Sequence, residues 1–141
     1  MSHQTILTIN TDGPGLTEIT DQATYFLQQA HEDTGLLTVF VRHTSCSLLI
    51  QENADPDVQR DLREFYHRLV PPGDEPSMNW LAHTAEGPDD MPAHIKAALT
   101  QTSLSVPVAG GAMLLGTWQG IYLWEHRYGR QSRKVIVHIG G

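Results

Sequence analysis

The sequence predicts an α+β fold built on a mainly antiparallel sheet. Short runs rich in β-formers cluster in the first third and the last third of the chain. The stretches with helical spacing, opened by Thr20-Asp21, by Asp55-Pro56 and near Pro92, lie between and within those clusters. Regular strand–helix alternation, the mark of a doubly wound parallel sheet, is missing.

Thr5 to Asn10, carrying Ile6 and Ile9, reads as the first strand. Gly13-Pro14-Gly15 then forces a turn, and Leu16 to Ile19 is expected to return as the second arm of a hairpin. Thr20 or Asp21 caps a helix through Asp33 with Ala23, Leu27 and Ala30 inward, stopped by Gly35. Leu36-Leu37-Thr38-Val39-Phe40-Val41 is a nearly continuous apolar run, as expected of a strand buried on both faces. A polar break at His43-Thr44 precedes a strand from Ser45 to Gln51, with Cys46, Leu48 and Ile50 on one face and Ser45, Ser47 and Leu49 on the other. Asp55 caps a helix whose first position is Pro56, and Val58, Leu62, Phe65 and Leu69 recur along its inner face. Pro71-Pro72-Gly73 ends it, and Asp74 to Asn79 is a loop.

His83 to Asp90 reads as an acidic loop, followed by a helix from about Pro92 with His94 in its first turn and Ile95, Ala98 and Leu99 inward. Ser103 to Val108, Ala112 to Leu115, Gly120 to Arg127 and Arg133 to Ile139 complete the strands, with turns at Gly110-Gly111 and Tyr128-Gly129-Arg130. Along the third of these, Ile121, Leu123, Glu125 and Arg127 point one way and Tyr122, Trp124 and His126 the other.

A chain of 141 residues suits one domain, taken as residues 1–141, and 40% apolar with 18% charged residues reads as globular. The formal charge of −7 and the lack of a basic stripe argue against a nucleic-acid partner. Arg127, Arg130, Arg133 and Lys134 suffice for one small anion. No run approaches the roughly 20 apolar residues that span a bilayer, and Met1 to Thr5 lacks the basic start of a signal peptide. The lone Cys46 cannot form an internal disulfide and reads as a packed small residue. A cytoplasmic protein is the expectation.

The histidines carry the functional signal. His43 sits at a strand end, His83 and His94 bracket Glu86, Asp89 and Asp90, and His126 follows Glu125 in a strand. Neutral imidazoles of His43, His83 and His94 would suit a divalent metal, zinc first on ligand softness, with one position open. Glu86 or Glu125 would act as base or orient a histidine. The alternative is that the histidines only hydrogen-bond the acidic loop. Asp89 and Asp90 read equally as magnesium ligands or as helix caps. His43 and Ser45 share a strand face, but no nucleophile elbow accompanies them, which argues against a hydrolytic triad. Trp118 and Gln119 are placed near the pocket wall and Asn53 faces it, while Trp80 and Trp124 are assigned to packing.

His43-Thr44-Ser45, Glu52-Asn53-Ala54-Asp55-Pro56, His83-x-x-Glu86-Gly87, Asp89-Asp90-Met91-Pro92-Ala93-His94-Ile95-Lys96 and Gly116-Thr117-Trp118-Gln119-Gly120-Ile121 stand in order along the chain. Together they closely resemble the YjbQ-like family, often labelled secondary thiamine-phosphate synthase. The resemblance implies a mixed or antiparallel sheet curled as a half-barrel or sandwich with helices on one side, a homotrimer, and a polar pocket between subunits. It carries over His43, His83, Glu86 and His94 directly. His126 transfers less well, because the family has a second form of this segment with Glu-Phe-Asp, and Cys46 often has alanine as its equivalent. The implied activity joins an aminopyrimidine diphosphate to a thiazole phosphate. Loss of pyrophosphate there needs cations at the leaving oxygen, such as Arg127, Lys96 or the helix start near Pro92. The resulting expectation is an enzyme, a transferase, acting on a small phosphorylated or heterocyclic metabolite. Its catalytic residues would be Glu86, Glu125, His126 and Arg127, with Ser45, Asn53, Asp89, Asp90, Trp118 and Gln119 binding substrate. Rival readings are a non-catalytic metabolite- or metal-binding protein and a metal-dependent hydrolase.

Overall fold

The computed structural model describes residues 3–140. The elements follow the order β1 (His3–Asp12), β2 (Gly15–Glu18), α1 (Thr20–Ala30), β3 (Gly35–Val41), β4 (Cys46–Glu52), α2 (Pro56–Leu69), α3 (Asp90–Leu99), β5 (Ser103–Ala109), β6 (Ala112–Met113), β7 (Gln119–Glu125) and β8 (Arg130–Gly140). A single turn of 3₁₀ helix, Pro76–Met78, lies in the segment before α3 and buries Met78. The class is α+β, as the sequence predicts. Every ladder is antiparallel: one sheet runs β1-β8-β3-β5-β6 and the other β2-β7-β4. Curled together, they form a half-barrel around one core.

The core comes from strand alternation. Val135, Val137 and Ile139 of β8 face inward beside Leu37, Val39 and Val41 of β3, and Leu104, Val106 and Val108 of β5 extend the same layer. Cys46 and Leu48 of β4 with Ile121 and Leu123 of β7 supply the facing layer. Helix α1 closes one side with Ala23, Phe26, Leu27 and Ala30. It ends on His31 in the left-handed region (φ 54), before the sequence reaches Gly35. Gly35 is instead the first residue of β3, where a Cβ would lie 2.6 Å from the Gly140 carbonyl oxygen. Gly110 and Gly111, at φ 60 and 74, make the tight β5–β6 turn that other residues adopt only under strain.

At its start, α1 is not capped by Thr20 or Asp21: Ile19 holds the N-cap position with no side-chain hydrogen bond. Further sequence expectations change. Strand β2 does not pair with β1: β1 pairs with β8 over its whole length, and β2 crosses to β7. The Gly13 amide instead bonds the Gly129 carbonyl, carrying the chain from one sheet to the other. Strand β3 is buried on one face only, with Leu36 and Phe40 exposed, because the sheet has no second layer on its outer side. Helix α2 is capped as expected, the Asp55 carboxylate accepting from the Asp57 amide at 2.9 Å. Its apolar stripe nevertheless finds no core: no α2 residue is buried, and Phe65 and Leu69 are exposed. Helix α3 starts at Asp90 and buries Pro92, Ala93 and Ala97, leaving Leu99 exposed and His94 in its second turn.

These placements separate two leucines. Leu48→Ala removes a wholly buried side chain and is expected to cost about 2–5 kcal/mol in urea unfolding. Leu99→Ala, at an exposed position, is expected to stay within about 0.5 kcal/mol of the parent.

Candidate functional site

Strand β7 ends where the functional residues begin. Glu125 is fully buried and accepts from Thr11 Oγ1 at 2.6 Å, from Arg133 Nε at 2.7 Å and Nη2, and from the backbone amides of His126 and Arg127, both at 3.1 Å. Burial alone would raise its carboxyl; the Arg133 and Thr11 hydrogen bonds outweigh that and hold it below the usual range. With both oxygens saturated, Glu125 is an ionised anchor and not the proton acceptor expected of it. Arg133, 5% exposed, also reaches Ser45 Oγ at 3.0 Å and the Ser45 carbonyl. Ser45 thus serves the anchor.

His43 belongs to the same anchor. Its Nε2 accepts from the Lys134 amide at 2.8 Å and its Nδ1 lies 3.5 Å from Arg133 Nη1. Burial and the Arg133 charge lower its pKa. With Nε2 occupied by a backbone donor, His43 does not join the other two histidines as a ligand.

A different triplet converges. Ligand atoms of His83, Asp90 and His94 all lie within 4.8 Å of one another, the group among the described residues that could hold a metal ion. Asp90 and His94 are four residues apart on α3 and therefore share a face. His83 arrives from the preceding loop, its Nε2 at 2.8 Å from Asp90 Oδ2 and 3.2 Å from Glu86 Oε2. His94 Nδ1 donates to the Thr44 carbonyl at 3.0 Å, which leaves Nε2 to point at Asp90 Oδ1, 3.5 Å away. A backbone carbonyl on Nδ1 is the arrangement that fixes a ligating imidazole. The Asp90 hydrogen bond raises the His83 pKa. Burial would raise the Asp90 carboxyl, but hydrogen bonding to His83 and the charges of His94 and Arg127 outweigh it.

Arg127 ties this triplet to the end of β7. Its Nε bonds Asp89 Oδ2 at 2.9 Å, its Nη1 lies 3.1 Å from Asp90 Oδ1, and its Nη2 reaches the Glu86 carbonyl at 3.3 Å. Asp89 Oδ2 also accepts from the Tyr128 amide at 2.8 Å. The Asp89 side chain makes no helix-capping hydrogen bond. The two aspartates are thus arginine partners, and of the pair only Asp90 reaches the imidazoles.

His126 is 2% exposed and its Nε2 lies 2.8 Å from Ser47 Oγ. Burial, with the Lys96 charge, lowers its pKa from 6.5 to about 3, so it stays neutral. It lines a cleft of about 380 Å³ with Trp124, Tyr66, Lys96 and Tyr128. A second cavity of about 280 Å³ opens beside His83, Thr84 and Met91. Asn53, Trp118 and Gln119 lie at the other end of β7, about 20 Å away along the strand. There Asn53 Nδ2 donates to Glu18 Oε2 at 3.1 Å, Gln119 Oε1 accepts from the Gly116 amide at 2.7 Å, and Trp118 is exposed. They shape a turn and are not gathered with the histidines.

Residues 5–141 match the family described as UPF0047 protein YjbQ-like. The chain belongs to that family. It is 52% identical to UPF0047 protein sll1880 of Synechocystis, over 99% of this chain and 92% of that one. It is 39% identical to UPF0047 protein YjbQ of Escherichia coli O157:H7, over 100% and 99%. A YjbQ/UPF0047 protein of Clostridium acetobutylicum, an orthologue of Bacillus subtilis YugU, superposes with a TM-score of 0.84 at 33% identity, covering 96% and 99% of the two chains. A hypothetical protein of Aeropyrum pernix superposes with a TM-score of 0.86 at 27% identity, covering 99% and 98%. The half-barrel is thus the family's fold. Among the described residues no helix is long and apolar enough to cross a membrane.

Arg133 does not serve the small-anion cluster that the sequence suggests for it: in phase with Val135, Val137 and Ile139 on the inward face of β8, it is buried against Glu125. Cys46 is buried and its thiol is pushed up to about 12 by burial, so it packs and does not react.

The neutral, buried His126 fixes a pH dependence. A folded-state pKa below the ordinary 6.5 means that its contribution is whole above pH 6.5 and is lost as pH falls toward about 3. Urea unfolding of the parent should lose on the order of 2 kcal/mol between pH 6.5 and 4.5 that His126→Gln does not lose. Parallel pH profiles for the two proteins would contradict this assignment.

Proposed function

We propose that this YjbQ-family protein is a metal-dependent enzyme of small-molecule metabolism, with His83, Asp90 and His94 as the ligands. The observation that carries the reading is the Thr44 carbonyl on His94 Nδ1, which turns Nε2 toward Asp90 and His83. Two imidazole nitrogens and one carboxylate oxygen favour zinc over magnesium, which takes oxygen ligands. A divalent ion held there would polarise a bound water or a phosphoryl oxygen. Glu86 is the carboxylate of the group that makes no ion pair with arginine. Its exposed Oε2, beside His83, is suited to take a proton from an incoming nucleophile. Arg127 spends its charge on Asp89 and Asp90, so it holds the ligands in place more than it meets substrate.

The narrower reading is thiamine-phosphate synthesis, and it rests on the family label. The donor set favours phosphorylated substrates in general and does not single out a pyrimidine diphosphate. Hydrolysis needs only the ion, a water and Glu86, which is the simpler chemistry for this arrangement. A homotrimer completes the proposal. Ile6, Ile136 and Phe40 stand opposite one another across β1, β8 and β3 on the uncovered face of the sheet. Together with Phe65 and Leu69 on α2 they offer apolar surface for a subunit contact. A cytoplasmic location accords with the single buried, unpaired Cys46.

Elemental analysis tests the centre. The parent and His43→Ala are expected to retain about one ion per chain, and Asp90→Asn and His94→Ala to lose it. Equal metal in parent and Asp90→Asn would remove the proposal. Incubation with aminopyrimidine diphosphate, with and without thiazole phosphate, then separates hydrolase from transferase by its products. Loss of turnover in Glu86→Gln with metal retained is the result expected for a proton acceptor.

A further inference from the structure

Helix α3 has two functional faces. Asp90 and His94 lie on one. Asp89, Pro92 and Lys96 lie roughly opposite at helical spacing and wall the 380 Å³ cleft. That cleft has a charge imbalance. Its three acids are neutralised elsewhere: Asp89 by Arg127 at 2.9 Å, Glu125 by Arg133, and Glu64 by Arg68 at 3.7 Å. Arg60 on the rim pairs with Asp57 and Asp61. The side chains of Lys96 and Arg63 have no ion-pair or hydrogen-bond partner among the described residues.

Lys96 is the telling one, because it is half-buried. Burial lowers its pKa, and keeping a partly desolvated ammonium without a counter-charge is unfavourable. The neutral ring of His126 beside it has its Nε2 on Ser47. Its Nδ1 makes no hydrogen bond among the described residues, and since every wholly buried side-chain nitrogen and oxygen there has a partner, it is left accessible to the cleft. Trp124, Tyr66 and Tyr128 give the remaining walls a flat, partly apolar character. A small concave site of this size, with a few polar groups on an aromatic floor, suits a metabolite and not a polymer.

We propose that this cleft binds the phosphoryl group of a small phosphorylated metabolite, with Lys96 as its counter-charge, Arg63 at the rim and His126 Nδ1 as a neutral contact. Two unpaired cations match a phosphomonoester, which carries close to two negative charges at neutral pH. The metal ligands lie on the other face of α3, so the cleft is a separate site, linked to them only through the Arg127 shared by Asp89 and Asp90.

Calorimetric titration of the full chain with inorganic phosphate, and with glycerol phosphate, at constant ionic strength tests this. Saturable binding of both is expected, weakened about tenfold or more in Lys96→Met and restored to within about threefold by Lys96→Arg. Titrated free of metal, so that the histidine cluster offers no ion to a phosphate, Arg42→Met, at an exposed position outside the cleft, is expected to bind phosphate as the parent does. The proposal is overturned if Lys96→Met titrates like the parent, if neither compound saturates, or if potassium chloride alone reproduces the heat. Phosphate bound with the ester excluded would overturn the assignment to a metabolite.

Discussion

The buried Glu125–Arg133 pair is the constraint on which the rest of the site depends. It joins β7 of one sheet to β8 of the other, and Thr11 of β1, Ser45 and His43 all attach to it. Charges taken out of water in this way are tolerated only when every lone pair and proton is engaged, and here no buried side-chain polar atom among the described residues is left without a partner. Removing either member would strand the other, at about 3–5 kcal/mol for pairs of this kind. The two sheets therefore meet at a fixed angle and register at this one end of the half-barrel.

From that anchor the order extends outward by backbone geometry. Glu125 accepts from the amides of His126 and Arg127, and so fixes the direction in which both side chains leave the strand. Arg127 then grips Asp89 and Asp90 and seats the first turn of α3. His83 and His94 converge on Asp90 because the aspartate is held. Electrostatically, Asp90 is shared among three cationic or potentially cationic groups, and an ion bound there would compete with Arg127 as well as with protons.

Much of this was legible in the sequence, and the gaps have physical reasons. The α+β class, the Asp55 cap and the alternation of β7 and β8 follow from period and punctuation, which are local. The partner of β2 is not local: the Gly13 to Gly15 turn fits a hairpin equally well, and only the long β1–β8 ladder excludes it. The α2 stripe was readable as apolar, but periodicity says which residues share a face and not what covers them. His83 and His94 stand out because they bracket an acidic segment and imidazole is a common transition-metal ligand. Asp90 reads from the sequence as a cap or magnesium ligand, although its spacing to His94 puts both on one helical face. His43 misled because a strand-end histidine looks free until the Lys134 amide is placed against it.

The three members of the histidine–aspartate cluster come from elements of different rigidity. Asp90 and His94 ride on one rigid turn of helix, whereas His83 arrives from a loop outside every ladder. Lengthening or recomposing that loop would exchange the third member of the cluster while the Glu125–Arg133 anchor between the sheets stayed intact. Within this architecture, the composition of the His83–Asp90–His94 cluster is therefore open to variation through a short exposed segment, at little risk to folding.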